Sequence, residues 1–202
     1  MNCVSKLSLF FLVLLQISFT NLIIDSDLTF EEAVKGTTAP KEIIDSLLLL
    51  NVVYYSFDNK LHRGQLVVHK SVQKDITDVF ELIRNERFPV AKSIPIVKYN
   101  WSDSASMANN NTSSFNYRKI AGTNRLSLHS YGLAVDINPF NNPVVYNDGR
   151  ISPKGAKYKP KKIGTFTSAC PIVQKFKELG WRWGGEFNSF KDYHHFDKIL
   201  SN

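Results

Sequence analysis

The chain has 202 residues, 43% of them hydrophobic and 12% aromatic, which suits one domain with a real core and excludes a disordered segment. Its formal charge is +7. An excess of that size fits a nucleic acid or an anionic polymer such as a cell wall as partner.

In residues 1–20, Lys6 precedes an apolar run from Leu7 to Leu15, which gives way to Gln16, Ser18 and Thr20. A positive start, a short apolar stretch and a polar exit make a secretory signal peptide. The run is too short to span a bilayer comfortably. Its removal takes Lys6 and no acid, leaving +6, and the only cysteine left is Cys170, so no intrachain disulfide is expected. Cys3 lies ahead of the apolar run and so cannot be the lipidated cysteine that follows one. The protein is expected in the periplasm, the cell envelope or the extracellular space, without stable membrane insertion after signal cleavage.

Residues 21–40 are expected to be an N-terminal extension with a short helix around Phe30 to Lys35. Residues 41–202 then form one domain. Lys41 to Leu50 reads as a helix after Pro40. Asn51 to Phe57 and Leu61 to His69, with Asp58-Asn59-Lys60 between them, read as a β-hairpin. Ser71 is placed to cap a helix in which Val72, Ile76, Val79, Phe80 and Ile83 recur at helical spacing, ending at Phe88-Pro89. Strands are predicted at Ile94 to Tyr99 and at Ser114 to Ile120, with a polar loop from Trp101 to Ser114 between them. Asn138 to Lys162 reads as a long irregular rim, and Ala169 to Leu179 as a helix closed by Gly180. These elements give an α+β fold, a single domain with an antiparallel sheet and flanking helices.

The chemistry concentrates in two stretches. From Leu133 onward Leu, Val and Ile fall on one face of a strand, while Ala134, Asp136 and Asn138 fall on the other. A carboxylate in so apolar a strand needs a metal, a base or several donors. His129 lies seven residues earlier, and Gly132 lets the chain bend between them. The tail Asp192-Tyr193-His194-His195-Phe196-Asp197 can complete the set. Hydrolytic zinc sites take three His and Asp/Glu ligands and keep a position for water, so His129, Asp136 and one tail histidine would hold one zinc ion. Asp192 is the candidate general base. Spacing does not separate the tail histidines: an extended segment pairs Asp192 with His194, a turn pairs it with His195. His62 and His69 read as structural histidines of the hairpin.

Ser127-x-His129-x-x-Gly132-x-Ala134-x-Asp136, followed by Asp192-x-x-His195-Phe196, resembles the zinc D-alanyl-D-alanine carboxypeptidase family. That family includes VanY-type carboxypeptidases, VanX-type dipeptidases and L-alanyl-D-glutamate endopeptidases. The likeness extends through Ser114-Phe115-Asn116-Tyr117-Arg118, Asp136-Ile137-Asn138-Pro139 and Trp181 to Gly185, over roughly residues 90–197. It implies a Hedgehog/DD-peptidase-like fold, zinc held by His129, Asp136 and His195, and Asp192 as base, where many members carry Glu. It also implies that Arg118 sits beside the substrate carbonyl, to stabilise an oxyanion or hold a carboxylate; its alternative is a salt bridge on a strand. Ser127 could bond substrate or cap a turn. Tyr131, Trp181 and Trp183 could line the cleft or belong to the core. Cys170 is expected to be a buried small residue rather than a nucleophile.

The expected substrate is a peptidoglycan stem peptide, cut by a monomeric D-Ala-D-Ala carboxypeptidase. The alternatives are an L-alanyl-D-glutamate endopeptidase and a non-catalytic wall-binding module. The lysines from Lys154 to Lys162 read first as a solvated loop and second as a polyanion contact. No aromatic-interleaved basic platform or nucleic-acid motif accompanies them, so no nucleic-acid partner is expected.

Overall fold

A long antiparallel hairpin forms the first sheet. Strands β2, Leu47–Tyr55, and β3, Leu61–His69, pair without interruption from Leu47 opposite His69 to Tyr55 opposite Leu61. The expected turn between them is present. Asn59 takes a left-handed φ of 61°, and Lys60 N donates to Asp58 Oδ1 at 3.0 Å. The computed structural model describes residues 22–200, so the signal peptide expected over residues 1–20 lies outside the described residues. A short strand β1, Ile23–Ile24, adds to β3 in parallel, next to helix α1, Phe30–Ala33. Thr29 and Glu32 cap α1 reciprocally, each accepting from the other's backbone N–H.

Several expected elements are corrected. The helix after Pro40 is only α2, Lys41–Asp45, and Leu47 to Leu50 belong to β2. Their partners on β3 offer a complete ladder, and burial of Leu47 against Val67 and Phe115 outweighs local helix propensity. Helix α3, Gln73–Asn85, buries Ile76, Val79, Phe80 and Ile83 as the spacing predicts. Ser71 does not cap it, because its hydroxyl is bonded to His69 Nδ1 at 2.8 Å. Ile96–Tyr99 is a 3-10 turn, not a strand, opened by Pro95 and ended by Asn100 at φ 52°. The polar loop after Trp101 contains helix α4, Asp103–Ala108, capped by the Ser102 hydroxyl.

Two further three-stranded sheets carry the C-terminal half. Their strands are β4, Ala134–Asp136, β5, Val144–Tyr146, β6, Ile151–Ser152, β7, Arg182–Trp183, β8, Phe190–Asp192, and β9, His195–Asp197. The orders are β4-β9-β7 and β6-β5-β8, all antiparallel. The expected irregular rim from Asn138 to Lys162 thus contains a hairpin, β5–β6. The strand expected at Ser114 to Ile120 is not one. Its backbone groups go to separate partners: Phe115 N to Val67 O, Asn116 N to His129 O, and Arg118 O to Ser127 N. The fold is a single α+β domain with three small sheets in place of one.

Helix α5, Pro171–Glu178, packs on α3, with Gly180 beyond it at φ 82°. At the centre of the main core, Phe196 stacks on Phe176 with ring centroids 4.1 Å apart and meets Phe166 edge-on at 5.1 Å. No helix among the described residues is long and apolar enough to cross a membrane.

Candidate metal centre

Strand pairing brings the two motif stretches together. Asp136 on β4 lies directly opposite His195 on β9. Successive side chains of a strand face opposite ways. Phe196 therefore turns into the core while His195 and Asp197 turn the other way. His129 arrives from a 3-10 turn, Leu128–Tyr131, that ends at Gly132 with φ 66°. A side chain at Gly132 would strike His69 N at 2.6 Å, so only glycine lets this turn pack on the β2–β3 hairpin.

His129 Nε2, His195 Nδ1 and Asp136 Oδ1 form a triangle with sides of 3.2, 2.9 and 3.2 Å. Tetrahedral donors about 2.0–2.1 Å from zinc stand roughly 3.3–3.4 Å apart, so the triangle is sized for such an ion. The far nitrogens fix the tautomers. His129 Nδ1 donates to Ser114 O at 2.6 Å, and His195 Nε2 donates to Asp197 Oδ2 at 3.2 Å. With a metal bound, both ligand nitrogens would present lone pairs beside a carboxylate oxygen, giving three convergent acceptors. A cation satisfies that arrangement; in its absence a proton must. Burial opposes a charge on His195, but its hydrogen bonds to Asp136 and Asp197 override that and push the imidazolium up to about 10. Burial likewise opposes the Asp136 carboxylate, yet His129 and His194 hold it well below the usual range.

Asp192 ends β8, and Tyr193-His194 turn the chain into β9. The chain turns, and His194 nonetheless reaches Asp192. His194 is buried, donates from Nδ1 to Asn142 O at 2.7 Å, and sets Nε2 3.0 Å from Asp192 Oδ1 and 3.8 Å from Asp136 Oδ2. The angle to Asp192 is too poor for a hydrogen bond, so Asp192 Oδ1 has no hydrogen-bond partner among the described residues. Burial raises the Asp192 carboxyl above its ordinary value. Gly184 makes room for it, since a Cβ there would lie 2.8 Å from Asp192 Cβ and closer still to its carbonyl oxygen.

Arg118 pairs with Asp103 at the start of α4, Nη2 to Oδ2 at 3.0 Å, with both side chains about one-third exposed. Asp103 lies in no motif, and Ser114 and Asp197, inside the motif stretches, take supporting roles that the motifs do not assign; Asp197 also takes Arg182 bidentately at 2.6 and 2.7 Å. Ser127 caps the turn that carries His129, accepting from His129 N at 3.3 Å. Trp183 is buried in the core, its Nε1 donating to Tyr193 O at 3.0 Å, and offers no open face to a substrate. Tyr131 is half-buried against the same core. Cys170 precedes α5, half-buried, its thiol pushed up by burial. His62 is a buried structural histidine, with Nδ1 2.9 Å from Asp25 Oδ1.

His129, Asp136 and His195 could hold a metal ion, and their donor types are those that hydrolytic zinc sites use. Residues 121–198 match the family model described as D-alanyl-D-alanine carboxypeptidase. Comparison with curated proteins and with solved structures returned no match.

Proposed function

We propose that this protein is an exported zinc peptidase that hydrolyses peptidoglycan stem peptides as a D-Ala-D-Ala carboxypeptidase, with the Hedgehog/DD-peptidase-like arrangement of that family. The observation that carries the proposal is the triangle of His129, His195 and Asp136 beside Asp192. His129 Nε2, His195 Nδ1 and Asp136 Oδ1 would hold one zinc ion. Zinc bound there would supply a Lewis acid that acidifies a water and polarises the scissile carbonyl.

The remaining steps belong to the chain. Asp192, raised by burial, is a stronger base than an exposed aspartate, and takes the proton of the attacking water. It returns that proton to the leaving amine. Arg118, steadied by Asp103, stabilises the oxyanion that forms on attack or holds the terminal carboxylate of the substrate. Ser114 O and Asp197 keep the two imidazoles in their ligating tautomers. Activity is that of a monomer, in the cell envelope or outside the cell.

Zinc content and hydrolysis of a stem pentapeptide, measured for wild type, Asp192→Ala and His195→Ala, test the proposal. Wild type should bind one zinc and cleave; Asp192→Ala should bind zinc without cleaving. Full hydrolysis by Asp192→Ala, or wild type that binds no zinc, would sink it. Mass spectrometry of the product identifies the bond. Loss of one alanine supports the carboxypeptidase, loss of D-Ala-D-Ala a dipeptide-releasing enzyme, and a cut after L-Ala the endopeptidase. Retention on sacculi with no peptide released means a wall-binding module.

A further inference from the structure

The lysine-rich loop after β6 does more than coat the surface. Between Asp148 and Glu178 the chain has no acidic residue, while Lys154, Lys157, Lys159, Lys161 and Lys162 crowd into nine positions. Three of the five, Lys157, Lys159 and Lys162, line a cavity of about 160 Å³ together with Thr165 and Phe140. That is room for about five waters at about 30 Å³ each. None of the three lysines has a salt-bridge partner among the described residues.

The cavity also has an orphaned polar atom. Thr165 is 8% exposed, and its Oγ1 has no hydrogen-bond partner among the described residues. A buried hydroxyl without a partner costs about 1–3 kcal/mol, so it signals a missing group. Thr165 is held rigidly. Gly164 O accepts from Asn138 Nδ2 at 3.3 Å and Asn142 Nδ2 at 2.9 Å, and Phe166 N donates to Asn142 Oδ1 at 2.7 Å. A fixed hydroxyl on a cavity lined by three lysines is complementary to an acceptor-rich anion.

We infer that this cavity is a binding site for a phosphate group, set apart from the candidate metal centre and sharing none of its residues. Its ligand is free phosphate or one phosphate of an anionic phosphodiester polymer. The site would anchor the protein on such a polymer while the metal centre works on peptide.

The test reads binding rather than hydrolysis, so its failure is distinct from failure of the peptidase proposal. The probes are inorganic phosphate, poly(glycerol phosphate) and, as a carboxylate polymer, polyglutamate, titrated calorimetrically at physiological ionic strength. Phosphate-bearing probes should bind wild type. Lys157→Gln, Lys162→Gln and Thr165→Val should each weaken them about tenfold, the scale of a lost hydrogen bond to a charged group. Thr165→Ser, which keeps the hydroxyl, should bind as wild type does, and a loss equal to that of Thr165→Val would overturn the role of the hydroxyl. Lys154→Gln and Lys161→Gln, outside the cavity, should change binding less than about twofold. Tighter binding of the polymer assigns the ligand to a phosphodiester, and equal binding per phosphate to the free ion. Equal losses from all five lysines, no effect of Thr165→Val, or polyglutamate held as tightly as phosphate would each overturn the inference.

Discussion

Asp136 and His195 face each other directly across β4 and β9, and their ligating atoms are 2.9 Å apart. Two members of the candidate metal set are therefore fixed by strand register, not by loop conformation. A slip of one residue would turn His195 into the core and Phe196 into the site. The cross-strand neighbours Val135 and Phe196, both fully buried, oppose any such slip.

Metal should stabilise the fold strongly, because the site is preformed. Saturation at about a thousandfold above Kd is worth about 4 kcal/mol, or roughly 8–16 °C in Tm for a chain of this size. Scanning calorimetry of metal-stripped protein with and without zinc should show that rise in wild type, and little or none in Asp136→Ala. Equal rises in both would place the metal elsewhere.

Phe196 holds the ligand strand down. It is fully buried and packs against Phe176 and Phe166. Phe196→Ala should cost about 3–5 kcal/mol in urea unfolding, and Phe196→Leu less. Zinc affinity should fall with Phe196→Ala although no ligand is touched. Unchanged affinity in a folded Phe196→Ala would show that β9 is positioned by other contacts.

Much of the site is legible in the chain because its chemistry demands particular side chains at short, fixed spacings. His129 and Asp136 lie in one such segment, and Asp192 and His195 in another. Supporting groups without side-chain identity are not legible. Ser114 acts through a backbone carbonyl that any residue could supply, and Asp103 comes from a helix with no motif. The same limit applies to the fold. The β2–β3 hairpin announces itself through all of β3 and the second half of β2, whose first four residues read as helix, but β5 and β6 are three and two residues long. Such strands are too short for a period of two to emerge from a stretch rich in Pro, Gly and Asn.

Gly184 should matter for catalysis more than for metal. A methyl group there would press on the Cβ and carbonyl of Asp192, which cannot move far because β8 is paired with β5 at Asp192 itself. Displacing a base by about 1 Å can cost on the order of a hundredfold. Gly184→Ala should lose about that in kcat/KM while still binding one zinc. Gly184 lies outside the left-handed region, so its alanine acts by contact alone; Gly149→Ala, strained at φ 84° but with nothing within 4 Å of its Cβ, is the control and should keep its activity. Equal activity losses in the two variants would mean that a general disturbance of the fold, not pressure on Asp192, is responsible.

Asp103 and Arg118 should act as one unit. Their ion pair is about one-third exposed, so it contributes little to stability, and its value lies in aiming the guanidinium. Arg118→Ala should lower kcat/KM about 10²–10³-fold, the range seen when one oxyanion donor is removed. Asp103→Ala should lower it about tenfold, the scale of a side chain that still acts but is no longer held. Combining them should cost no more than Arg118→Ala alone, because an absent guanidinium needs no steadying. The four-variant cycle in kcat/KM, with zinc content measured alongside, decides the matter. If Asp103→Ala still costs its full tenfold in the Arg118→Ala background, Asp103 acts independently of Arg118.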